Sequence, residues 1–89
     1  DIIRIQADGR YSKIFMRSGQ QHTVTKNILE YEDQLAAYHF FRCHKSHLIN
    51  LHCVQQYLRE GYVVMSDNAN VEVSRNCKDE LVKLLNNKV

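Results

Sequence analysis

The sequence predicts a mostly β fold of the α+β kind: short antiparallel sheets packed with one small mid-chain helix and a C-terminal helix. Three observations carry this. In the first third, apolar and polar residues alternate with the period of two expected of half-buried strands. Turn dipeptides at Asp8-Gly9 and Ser18-Gly19 punctuate those strands. Apolar residues recur at helical spacings of three and four within residues 28–38 and again within 77–85.

The first strand has Ile3, Ile5 and Ala7 alternating with Arg4 and Gln6. Residues 11–17 follow with β-branched and aromatic content, and His22-Thr23-Val24-Thr25 makes the next strand of a meander. Asn27 is placed to cap a helix whose Ile28, Tyr31, Leu35 and Tyr38 share one face. Glu30, Glu32 and Asp33 occupy its early turns, where acids complement the helix dipole. A helix with that acid cluster should brace the core rather than lie against a phosphate backbone. In residues 40–50, apolar Phe40, Phe41, Leu48 and Ile49 flank the polar run Arg42-Cys43-His44-Lys45-Ser46-His47. That pattern suits a strand or tight loop that buries its ends and exposes its middle. A brief helical turn is expected over residues 51–54, then a hairpin of 55–58 with 62–65 around Arg59-Glu60-Gly61, then a short strand at 71–73. Ser74 should cap the final helix, whose Cys77, Leu81 and Leu84 share a face adjoined by Leu85 and Val89.

The chain's 89 residues amount to one small domain with a modest core, and 44% apolar with 25% charged residues is an ordinary globular composition. No apolar run approaches the ~20 residues of a membrane span, and the first ten residues lack the basic leader and apolar stretch of a signal peptide. The chain starts at Asp1 rather than Met, so a fragment of a longer protein is expected. Three cysteines, Cys43, Cys53 and Cys77, cannot all pair internally and suit the reducing cytoplasm better than a disulfide framework. The net charge of +2 says little, but its distribution says more. No acid lies between Asp8 and Glu30, where Arg10, Lys13, Arg17 and Lys26 fall. None lies between Asp33 and Glu60, where Arg42, Lys45 and Arg59 are joined by four histidines. Such one-signed segments imply a cationic face suited to a phosphate-rich partner.

Two chemistries tempt and fail on spacing. Cys43, His44, His47, His52 and Cys53 offer zinc-type donors, but they match neither a CxxC nor an HxxxH knuckle. A Cys43–His pairing could activate a thiolate, yet there is no nucleophile elbow, phosphate-binding glycine loop or paired-carboxylate motif. No catalysis, metal or cofactor is therefore expected. What remains is a set of basic loops: Arg10-Tyr11-Ser12-Lys13, residues 42–47, and Ser74-Arg75-Asn76 at the mouth of the last helix. Arg and Asn are suited to reading base edges, while Lys, Ser, Tyr and His mainly supply donors to the backbone. Alternatively, exposed strand edges and the Cys/His segment would make a protein-interaction or redox-sensing module.

The order of these segments resembles the LytTR-type DNA-binding domains of bacterial response regulators. Ile5-Gln6-Ala7-Asp8-Gly9-Arg10-Tyr11-Ser12-Lys13-Ile14 is similar to their opening I-E-A-x-x-x-Y-x-x-I/V. Phe40-Phe41-Arg42-Cys43-His44-Lys45-Ser46-His47-Leu48-Ile49-Asn50 is similar to their F-x-R-x-H-K/R-S-Y/F-L/I-V/I-N signature, and Val73-Ser74-Arg75-Asn76 to the closing V/I-S-R-x-x. His47 departs from the usual aromatic, and Cys53 falls near a position where Ile is common. The resemblance covers nearly the whole chain. It implies a cytoplasmic transcription regulator, the output domain of a two-component system, with an N-terminal receiver or other domain outside residues 1–89. It implies loops inserted into the major groove of double-stranded DNA, commonly with two copies on direct-repeat promoter sites. By position, base-edge contacts would come from Ser12/Lys13, Lys45 and Arg75. Arg10, Tyr11, Arg42, Ser46, His47, Asn50 and Asn76 would face phosphate or shape loops. His44 and Asn50 could equally be structural hydrogen-bonders of residues 42–50.

Overall fold

The computed structural model describes residues 1–86. Among the described residues, eight strands and two helices occur in the order β1 (Ile2–Asp8), β2 (Tyr11–Met16), β3 (Gln21–Val24), α1 (Ile28–Leu35), β4 (Phe40–His44), β5 (His47–Asn50), β6 (Val54–Leu58), β7 (Tyr62–Met65), β8 (Asn70–Glu72) and α2 (Lys78–Asn86). Short 3-10 turns follow α1 (Ala36–Tyr38), link β5 to β6 (Leu51–Cys53) and precede α2 (Arg75–Cys77). The mostly β, α+β architecture expected from the sequence is the one observed. Val89, expected to adjoin the last apolar face, lies outside the described residues.

The strands form two antiparallel sheets, one ordered β3-β2-β1-β5-β4 and the other β6-β7-β8. The larger sheet is apolar on both faces because both are covered. On one side Ile5, Ile14 and Leu48 pack beneath Ile28, with Tyr31 and Leu35 of α1 against them. On the other, Ile3, Cys43 and Ile49 meet Val63, Met65 and Val71 of the small sheet and Leu81 of α2. Ile3 and Ile5 were expected on one face by simple alternation, yet they join different sides of the core. The register explains this: between Ile2 and Arg4 the β1–β2 ladder shifts, with Ile2 opposite Met16 but Arg4 opposite Phe15. An extra residue at such a bulge turns the following side chains over.

That bulge also places Arg4, only 9% exposed, on the side facing the small sheet. Its guanidinium lies 3.6 Å from the Phe15 ring centroid and pairs with Asp67 at 3.2 Å, tying β1 to the β7–β8 turn. A buried cation of this kind requires such a partner.

Helix α1 starts on a complete capping box: Asn27 Oδ1 accepts from the Glu30 N–H at 3.0 Å, and Glu30 accepts from the Asn27 N–H at 3.3 Å. Ile28, Tyr31 and Leu35 face the core as expected, but Tyr38 is 64% exposed. The helix tightens into its 3-10 turn after Leu35, which breaks the 3.6-residue period. Ser74 also departs from its expected role, since its side chain makes no capping bond; the hydroxyl lies 3.3 Å from the Cys43 carbonyl instead. Among the described residues no helix is long and apolar enough to cross a membrane.

Leu48 is fully buried beneath α1, whereas Leu29 on the outer side of the same helix is 58% exposed. Leu48→Ala is expected to cost about 2–5 kcal/mol in urea unfolding, and Leu29→Ala less than about 0.5 kcal/mol. Similar losses from the two would contradict this placement of the core.

Candidate nucleic-acid interface

Two backbone hydrogen bonds draw the three basic segments to one edge. The Ala7 N–H donates to Ser46 O at 2.8 Å, fastening the end of β1 and its Gly9-Arg10 turn to the β4–β5 turn. The Ser74 N–H donates to Cys43 O at 2.8 Å, fastening the Arg75 turn to the outer side of β4. Gln6 opposes His47 and Asp8 opposes Tyr11, so the β1–β2 turn and the β4–β5 turn project from the same end of the sheet. Gly9 adopts φ +61°, the left-handed conformation that lets β1 reverse tightly into β2.

Burial divides the sequence-nominated residues into two groups. Arg10, Tyr11, Lys45, Arg75 and Asn76 are exposed, and Lys13 and Ser46 are partly so. Lys13 lies 3.6 Å from Asp8, a solvent-facing pair of little energetic weight. Ser12, in contrast, is fully buried, since it alternates with Tyr11 and Lys13 and shares the inward face of Ile14. It offers no donor at the surface. Asn50 is 7% exposed and occupied on both sides, donating to Ile2 O at 2.9 Å and accepting from the His52 N–H at 3.0 Å. These bonds tie the end of β5 to β1 and to the 3-10 turn that follows, rather than to residues 42–47.

Arg42 is likewise turned inward along the edge. Its Nε donates to His44 O at 3.0 Å, one terminal nitrogen to Lys45 O, and the other to Glu32 of α1 at 2.7 Å. The guanidinium thus gathers two carbonyls of the β4–β5 turn and braces them against a helix. The planar fork of Arg suits this use, and a Lys could not make all three contacts at once. The polar middle of residues 40–50 is therefore not uniformly exposed: Cys43 is fully buried, and only Lys45 stands clear.

His44 completes the turn from the other side. Its Nδ1 accepts from the Ser46 N–H at 3.0 Å, which places a neutral ring's proton on Nε2, 3.9 Å from Glu72. The His44 and His47 rings lie 5.2 Å apart. Burial, then His44, then Arg4 depress the His47 pKa to about 4, so this ring is neutral at pH 7 rather than a phosphate-binding cation. Its Nδ1 is buried without a partner. Burial first, and Cys77 second, push the Cys43 thiol up to about 12. A thiol so strongly held in its protonated form is a poor nucleophile, which weakens the redox reading. Among the described residues no group of three or more His, Cys, Asp or Glu is placed to hold a metal ion.

Two participants escaped the sequence reading. Glu32 was assigned to the helix dipole, and nothing local ties it to Arg42, ten positions away. Glu72 alternates with buried Val71 and Val73, which marks it as outward-facing, but its meeting with His44 depends on how the sheets pack. The resulting edge is cationic at Arg10, Lys13, Lys45 and Arg75, with Asp8 and Glu72 among its nearby acids. Its donors are preorganised by backbone bonds, and it suits a polyanion better than a small ligand.

His47 supplies a pH test. A group whose pKa falls from 6.5 unfolded to about 4 folded stabilises the fold above pH 6.5, and that contribution is lost as pH drops towards 4. His47→Phe should flatten the fall in urea midpoint between about pH 6.5 and 4. Parallel curves for the two proteins would contradict the burial of a neutral ring. Arg42→Lys should destabilise by about 1–3 kcal/mol in the same assay, through the lost carbonyl and carboxylate contacts; an unchanged midpoint would rule out the bracing role.

Comparison with known proteins agrees with the geometry. No match was found among curated proteins. A solved structure from Bacillus cereus, the LytTr DNA-binding domain of a protein described as a methyl-accepting/DNA response regulator, superposes with a TM-score of 0.82 at 20% identity. The match covers 94% of this chain and 80% of that one, and at this identity it speaks to the fold. The sequence matches the family model of the LytTr DNA-binding domain over residues 1–86. The chain therefore belongs to the LytTR family of DNA-binding domains.

Proposed function

We propose that this domain binds duplex DNA sequence-specifically and regulates transcription as the output domain of a two-component response regulator in the cytoplasm, without catalytic activity of its own. One observation carries the reading: three basic loops, far apart in sequence, are fastened to a single edge by the Ala7–Ser46 and Ser74–Cys43 hydrogen bonds. In this reading the loops enter the major groove. Lys45 and Arg75 lead the base contacts, with Lys13 beside them, while Arg10, Tyr11, Ser46 and Asn76 supply donors to phosphate. Arg42, His44, His47 and Asn50 shape the loops from within. Two copies on direct repeats would double the footprint of so small a domain.

Selection of bound sites from random duplex DNA tests the proposal, and enrichment of a repeated short motif is the expected outcome. Recovery of no enriched sequence would overturn sequence specificity. Arg75→Ala should lose roughly 1–3 kcal/mol of discrimination between the selected site and a scrambled duplex. An unchanged ratio would remove Arg75 from the base contacts. Lys45→Ala should weaken binding to the selected site, and log K should fall steeply with log salt.

A further inference from the structure

The β6–β7 hairpin tip, Arg59-Glu60-Gly61, was read from sequence only as a turn. The fold brings it to the same edge. Gly61 O accepts from the Val73 N–H at 2.8 Å, and Tyr62 lies opposite Glu72 in the ladder. The tip therefore sits beside the two residues that lead into Arg75. Gly61 has φ +105°, and a Cβ built there would lie 3.0 Å from Lys78 Cε and 3.1 Å from its Nζ. The Lys78 side chain thus lies across the tip and holds its ammonium beside the hairpin.

Two further features mark these cations. Lys78 is the first residue of α2, where the positive end of the helix dipole disfavours a cation. Asp79 and Glu80 follow it in the same turn and offset that cost, while its stem is turned towards Gly61. Arg59 is exposed, and among the described residues neither Arg59 nor Lys78 forms an ion pair. Glu60 is the acid of the turn itself, next to Arg59, and Asp79 and Glu80 follow Lys78 in α2. The edge then runs as a row: the β1–β2 turn, the β4–β5 turn, the Arg75 turn and the β6–β7 tip.

We infer that the tip is a fourth contact strip, in which Arg59 and Lys78 grip backbone phosphate of the duplex beyond the base-reading loops. The inference rests on the duplex-binding reading above. Lys78 is a point charge held by packing of its stem against Gly61, which suits a phosphate rather than the hydrogen-bond pattern of a base. Phosphate contacts add affinity uniformly across sequences and steepen its salt dependence.

The test is a salt titration of the 89-residue chain and its Arg59→Gln, Lys78→Gln and double variants, on a selected site and a scrambled duplex. Each removed phosphate contact should reduce the slope of log K against log salt by about 0.9. The double variant should therefore lose about 1.8, with affinity falling in parallel on both duplexes and their ratio unchanged. The pair Arg59→Lys and Lys78→Arg should restore the slope, and urea midpoints show whether the variants stay folded. Wild-type slope and affinity in a folded double variant would overturn the fourth strip while leaving duplex binding intact. A loss confined to the selected site would overturn the assignment to phosphate. Failure of the wild-type chain to bind any duplex would sink the duplex reading itself, and the strip with it.

Discussion

The β4–β5 turn depends on one guanidinium. Arg42 gathers the His44 and Lys45 carbonyls and fixes them to Glu32 of α1, so the turn cannot rotate independently of the core. His44 closes the other side by accepting from the Ser46 N–H. Both other basic loops are then hung on this hairpin, one through Ser46 O and one through Cys43 O. Removing the fork would loosen the frame on which the neighbouring loops are positioned. A charged residue in the middle of the signature segment thus serves geometry, and Lys45 beside it is left free to reach outward.

This arrangement explains how a domain with little net charge can present a cationic edge. Glu32 and Asp67 are each matched by a cation, Arg42 and Arg4, while among the described residues the exposed Arg10, Lys45 and Arg75 form no ion pair. The histidines contribute shape more than charge. His47 is kept neutral first by burial and then by His44 and the Arg4 guanidinium, and His44 offers an acceptor to the backbone. Preorganisation of this kind lowers the ordering cost of binding, because loops held by backbone bonds lose less freedom on contact with a partner.

Much of the fold could be read from the chain because local signals agreed with the tertiary outcome. The N-cap at Asn27, the Asp8-Gly9 turn and the hairpin around Arg59-Glu60-Gly61 all stand where the local sequence placed them. The inward Ser12 was also readable, since it shares the parity of Ile14 on one strand. Its nomination as a surface donor gave family position precedence over alternation. Other features had no local signature. The bulge that sends Ile3 and Ile5 to opposite faces is set by pairing with β2, and the tightening that exposes Tyr38 occurs beyond the regular helix. The Glu32–Arg42 pair and the Ser74–Cys43 bond join residues 10 and 31 positions apart, so only packing reveals them.

The central claim is that these fastened loops form one DNA-binding edge. Backbone amide shifts of the labelled domain during titration with a selected duplex test it most directly. The account predicts changes concentrated at Gly9 to Lys13, Lys45 to Ser46 and Arg75 to Asn76, with the outer face of α1 and the β2–β3 turn unmoved. Changes centred on α1 or β3, or binding that leaves all three loops unperturbed, would contradict it.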